Sequence, residues 1–96
     1  MESEQARVTQ LRQLKRLLEE NDERISAALA ADLGKSPIES FATETSFVIG
    51  EVEHALEHLS AWMQPIRVRV PLTLRPGNAR VVRQPLGVVL IMAAWN

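Results

Sequence analysis

The last twelve residues, Pro85 to Asn96 (PLGVVLIMAAWN), constrain the fold more than any other part of the chain. A Pro-Leu-Gly lead is followed by five strongly apolar residues, Val88 to Met92, then two alanines, Trp95 and Asn96. A run so apolar and free of charge suits a strand buried on both faces, as in the parallel sheets of α/β proteins. Such a strand requires a neighbour on each side and helices above and below, and nothing after Asn96 supplies them. A free chain end is usually polar and tolerant of fraying, whereas this run alone is an unpaired, sticky edge. The expectation is the front piece of a larger α/β protein.

Composition narrows the class. A chain of 96 residues is one small domain at most. Its 46% hydrophobic and 24% charged residues are ordinary for a soluble globular protein. A net charge of −1 argues against nucleic acid or an anionic membrane as the main partner, because both favour a basic excess. No apolar stretch approaches the ~20 residues of a membrane span. The opening MESEQARVTQ lacks the apolar core of a secretory signal. With no cysteine, these residues hold no disulfide framework, thiolate nucleophile or zinc–thiolate site. Cytoplasmic location is expected by exclusion.

Three helices are expected before Pro65. Residues 4–20 place Val8, Leu11, Leu14, Leu17 and Leu18 on a helical stripe, with Arg7, Arg12, Lys15 and Arg16 around it. Asn21 is an expected N-cap for a second helix, with acidic residues following it. That helix uses Ile25, Ala28, Leu29 and Leu33, and Gly34 is its stop. Ser36-Pro37-Ile38-Glu39 is a strong start signal, with Ser as N-cap, Pro at N1 and Glu closing a capping box. From there one helix of ~25 residues is expected to run to about Met63. Its face is Ile38, Phe41, Thr45, Val48, Ile49, Val52, Leu56, Leu59 and Met63.

After Pro65 the pattern changes. Ile66–Val70 alternates as a half-exposed strand does, and Ala79–Arg83 repeats the alternation beyond the Pro76-Gly77-Asn78 turn signal. The two could pair as a long-looped hairpin with arginines toward solvent or a partner. The expected divisions are a helical part at 1–65, a hairpin at 66–84 and the truncated strand at 85–96. No internal repeat or low-complexity tract is present.

Two clusters invite a functional reading. His54 and His58 lie one helical turn apart, a spacing that can hold a metal. They sit opposite the Val52–Leu56–Leu59 stripe among Glu53 and Glu57, so a solvated, charge-paired face is preferred and no metal is expected. The arginines at 67, 69, 75, 80 and 83 could bind phosphate or nucleic acid. No stacking residues interleave with them, so edge protection or a subunit contact is the preferred reading. Gly87 stands alone, without the G-x-G-x-x-G of a dinucleotide site. Ligands in open α/β sheets bind beyond the carboxyl ends of strands, where Ala93 and Ala94 would let a cofactor approach. Asn96 at the same end is either an oxyanion donor or an ordinary turn residue.

Two stretches, ALAADLGKSPIES (28–40) and RQPLGVVLIMAAWN (83–96), closely resemble the N-terminal region of aldehyde dehydrogenases, and the class 3-like branch fits best. The L-x-x-L-x-x-L-L pattern at 11–18 and the E-x-x-x-x-L-x-x-L-x-x-W pattern ending at Trp62 match in order and spacing. Gln84 departs from the usual Glu, and Met92-Ala93-Ala94 from the commoner Ile-Gly-Thr or Ile-Gly-Pro. The family's catalytic cysteine, general-base glutamate and Gly-rich turn do not occur in these residues.

The resemblance implies an α/β fold: three amphipathic helices, a β-hairpin of the oligomerisation element, and the first buried strand of a Rossmann-like cofactor domain. It also implies oxidation of an aliphatic or aromatic aldehyde to the acid with NAD or NADP. There a cysteine thiolate attacks the aldehyde, the thiohemiacetal gives up hydride, and water hydrolyses the thioester. Asn96 matches the family's oxyanion-stabilising amide. Met92, Ala93, Ala94 and Trp95 match the segment lining the nicotinamide-ribose side of the cleft. The hairpin matches an element that packs on a partner subunit, implying a homodimer of the full-length protein. The segment alone is then inactive. The rival reading is a stand-alone helical and hairpin interaction module that adds to a partner's sheet.

Overall fold

The computed structural model describes residues 2–93. Residues 2–61 and residues 62–93 belong to two separate compact units. In the first, α1 (Glu4–Glu20) and α2 (Asp22–Leu33) lead to a third helical run. That run comprises α3 (Pro37–Ser40), a π-helical turn (Phe41–Thr45) and α4 (Ser46–Met63).

Caps fix the helix ends. Ser3 in extended conformation accepts the Ala6 N–H at 3.2 Å and starts α1. Gly34 ends α2 in the left-handed region at φ 67°, its N–H donating to the Ala30 carbonyl at 3.0 Å. Ser36 Oγ accepts from the Glu39 N–H at 3.2 Å with Pro37 in the first turn, as the start signal requires. Asn21 differs from expectation: it occupies the N-cap position of α2 but its side chain does not cap that helix. Its amide instead donates backward to the Leu17 carbonyl at 2.8 Å, and its Oδ1 accepts from Arg24. With ψ at 16° the residue is not extended, so its oxygen does not face the α2 N–H groups.

The single third helix expected from Ile38 to Met63 is interrupted by the π turn, and the interruption changes its buried face. Five residues now fill a turn, so Ser40 and Thr45 fall on one line, and both are buried. Ile38 and Phe41 rotate outward, at 83% and 53% exposed, and Val48 is also exposed. Beyond the π turn the expected stripe holds: Val52 is buried, while Ile49, Leu56, Leu59 and Met63 are half-buried. The hydroxyls of Thr43 and Ser46 donate to the Glu39 and Ala42 carbonyls, four residues back. A second correction concerns α1. Leu14 and Leu17 are exposed, whereas Val8, Leu11, Lys15 and Leu18 form its half-buried line.

In the second unit, β1 (Ile66–Val68) and β2 (Ala79–Val81) pair antiparallel, as the alternation predicts. The register sets Ile66 opposite Val81, Arg67 opposite Arg80 and Val68 opposite Ala79. Both strands are shorter than the expected Ile66–Val70 and Ala79–Arg83. Pro71 carries no N–H to extend the ladder, and the chain turns into a short 3₁₀ helix at Leu72–Leu74. The strand expected at 85–96 does not form over its described part: residues 85–93 carry no regular helix or strand. The physical reason lies in the same requirement that identified the run. A strand forms only where another strand takes up its backbone groups, and among the described residues β1 and β2 pair only with each other.

Candidate functional site

Residues 84–93, which lead into the expected cofactor segment Met92–Trp95, contain no ionisable group. Pro85 fixes the backbone, and Gly87 turns it at φ 95°, a conformation that L side chains rarely adopt. Beyond that turn the side chains meet almost nothing. Leu86, Val88, Leu90, Ile91 and Met92 are each at least 82% exposed, and Val89 is 59% exposed. Just before the segment, Arg83 Nη1 donates to the Trp62 carbonyl at 3.3 Å. Of the five site residues expected from the sequence, Met92 and Ala93 are exposed and lie side by side in the chain. Ala94, Trp95 and Asn96 lie outside the described residues.

The histidine pair is on the surface. The rings of His54 and His58 stack with centroids 4.1 Å apart, and His58 Nδ1 lies 2.8 Å from the His54 carbonyl, which can only accept. Nδ1 therefore carries the proton in that contact. No group of three or more His, Cys, Asp or Glu that could hold a metal exists among the described residues.

Two ion pairs that the helical periodicity did not reveal organise the helical unit. Lys15 reaches from α1 to Glu53 on α4 at 2.6 Å, with Glu19 at 3.8 Å on its own helix. The hydrogen bond that Lys15 donates to Glu53 is the largest influence on Lys15 and raises its pKa above the ordinary 10.5. The charges of both glutamates act in the same direction, and desolvation opposes them. Lys35, only 10% exposed in its side chain, pairs with Glu44 at 2.6 Å and donates to Thr43 Oγ1 at 3.3 Å. It thereby ties the end of α2 to the π turn. The available signal for Lys15 was its position four residues after Leu11, on the inward line of α1.

The order of the sequence patterns finds its explanation in a family match: the model of the "Aldehyde dehydrogenase family" matches residues 2–96. The chain belongs to the aldehyde dehydrogenase family. It is 43% identical over 90 residues to "Aldehyde dehydrogenase family 3 member B1" of Homo sapiens. It is 42% identical to "Aldehyde dehydrogenase family 3 member H1" of Arabidopsis thaliana and 38% to "Aldehyde dehydrogenase family 3 comG" of Dictyostelium discoideum. Each alignment covers 94% of this chain and 19% of the relative. The resemblance to class 3-like aldehyde dehydrogenases is upheld, and the chain spans about a fifth of those relatives' length. The observed mixture of helices with a small antiparallel sheet agrees with an α/β aldehyde dehydrogenase segment.

Proposed function

We propose that this chain is a segment of an NAD(P)⁺-dependent aldehyde dehydrogenase that oxidises aliphatic or aromatic aldehydes to carboxylic acids. One observation carries the reading: a chain matched by the family across residues 2–96 holds an apolar segment, 86–92, whose side chains are all exposed among the described residues. In the whole protein, that segment becomes the first strand of the cofactor-binding sheet. Burying a side chain the size of Val, Leu, Ile or Met contributes about 1.5–3 kcal/mol, so the sheet gains much by taking this strand in. The nicotinamide, when bound, accepts hydride from the substrate carbon. Met92 and Ala93 fit a role beside it, because they are exposed and Ala93 offers only a methyl group to an approaching ligand. Ala94 and Trp95 continue that wall.

Asn96 is assigned the oxyanion. A side-chain amide N–H aimed at the substrate oxygen stabilises the negative charge that develops as the carbonyl carbon becomes tetrahedral. The hairpin β1–β2 is assigned the bridging role toward a second subunit, giving a homodimer, and its exposure on both faces supports this. The nucleophile and general base come from outside residues 1–96, so the segment alone is inactive. Cytoplasmic location is part of the same proposal.

The test is Asn96→Ala in the intact protein. Turnover should fall about 10²–10³-fold while the cofactor Kd changes little. Unaltered turnover would remove Asn96 from the reaction.

A further inference from the structure

The periodicity of the third helical run points inward at residues that the structure turns away. Phe41 and Ile38 lie eleven and fourteen residues before Val52, close to three and four whole turns of an α-helix. Ser40, twelve residues before Val52, is about a third of a turn off that line. Yet Ser40 is buried along with Thr45 and Val52, and its Oγ finds no partner among the described residues. The π turn makes the exchange: the Ser46 N–H donates to the Phe41 carbonyl, five residues back rather than four. A register that buries a hydroxyl in place of an aromatic ring needs a tie to hold it. Lys35, just ahead of the run and only 10% exposed in its side chain, supplies one. Its Nζ donates to Glu44 Oε1 at 2.6 Å and to Thr43 Oγ1 at 3.3 Å, and both acceptors belong to the π turn. Taking the extra residue out of that turn would swing Glu44 by about 100° around the helix axis, away from Lys35.

We propose that the Lys35–Glu44 pair is a register lock for the third helical run, a device independent of the dehydrogenase reading. Paired, it holds Phe41–Thr45 in the π form. Unpaired, the run closes into one α-helix from Pro37 to Met63, and the Ser46 N–H moves to the Ala42 carbonyl. Phe41 then takes the place of Ser40 beside Thr45 and Val52, and Ile38 follows it inward. Thr45, seven residues before Val52, stays inward in both registers. Burial alone favours the α form, because it covers an aromatic ring and returns an orphaned hydroxyl to water. The charge-assisted hydrogen bond from Lys35 opposes it, being stronger than a neutral one and little exposed to solvent.

Crystal structures of the intact protein test the lock. The double variant Lys35→Met/Glu44→Met removes both charges at similar volume and leaves no lone charge behind, a replacement that folded interiors tolerate. It should show a shift of one residue: the Ser46 N–H on the Ala42 carbonyl, Phe41 inward and Ser40 outward. The wild type should keep the bond from Ser46 to Phe41. A π turn that survives in the double variant overturns the proposal, and so does its absence from the wild type. Loss of helical circular dichroism in the double variant overturns it too, since a lock requires a second folded register.

Discussion

Thr45 and Ser40 place two hydroxyls on the buried face of the third helical run, and neither Oγ1 nor Oγ finds a hydrogen-bond partner among the described residues. An orphaned buried hydroxyl costs about 1–3 kcal/mol, whereas an apolar group of the same shape costs nothing of the kind. Thr45→Val should therefore leave stability unchanged or raise it by about 1 kcal/mol in a denaturant melt. A loss of more than about 1 kcal/mol would mean that the hydroxyl is bonded. Lys15 gives a second prediction, in pH. Its pKa is raised in the folded chain, so the stabilisation from Glu53 is whole below the ordinary lysine range and is lost as pH rises through the folded value. The stability gap between wild type and Glu53→Gln should be flat up to about pH 10 and narrow above it. A gap that widens with rising pH would contradict the sign.

Among the elements, the helix ends were legible because their chemistry is local. Gly34 and the Ser36-Pro37 start depend on residues within four positions of each other, and the structure uses both as expected. Gly34→Ala should cost about 1 kcal/mol in a thermal melt. The cost is conformational alone, since an added Cβ there meets nothing within 4 Å. No change in melting temperature would mean that α2 ends elsewhere. The π turn was not legible. A periodicity of 3.6 assigns Ile38 and Phe41 to the core face, and one extra residue per turn hands that place to Ser40. Asn21 misled for a related reason: an amide can serve the helix before it as well as the one after, and residue type does not say which. The hairpin pairing was legible in outline, because two alternating runs flank a turn signal, but its register and strand ends were not.

At the scale of the whole molecule, the strongest signal in the sequence has the least structure. Val88–Met92 reads as a doubly buried strand, yet these residues are exposed and unpaired. The two facts agree once burial is understood as a property of what surrounds a segment. The chain spans about a fifth of its relatives' length, and the proposed function has the rest of that length supply the run's partners. The cofactor role proposed for Met92 and Ala93 rests on resemblance alone, because exposure, charge and spacing there carry no signature of a nucleotide. A 96-residue chain displaying this run should self-associate at micromolar concentration, measurable by sedimentation, and a monomer there would count against it. Amide hydrogen exchange at Val88–Ile91 is the most direct test of the account. In the intact protein these amides should exchange at least about a thousandfold more slowly than in the 96-residue chain, as those of a central strand do. Equal, fast exchange in both would contradict the claim that this segment is built to lie inside a sheet.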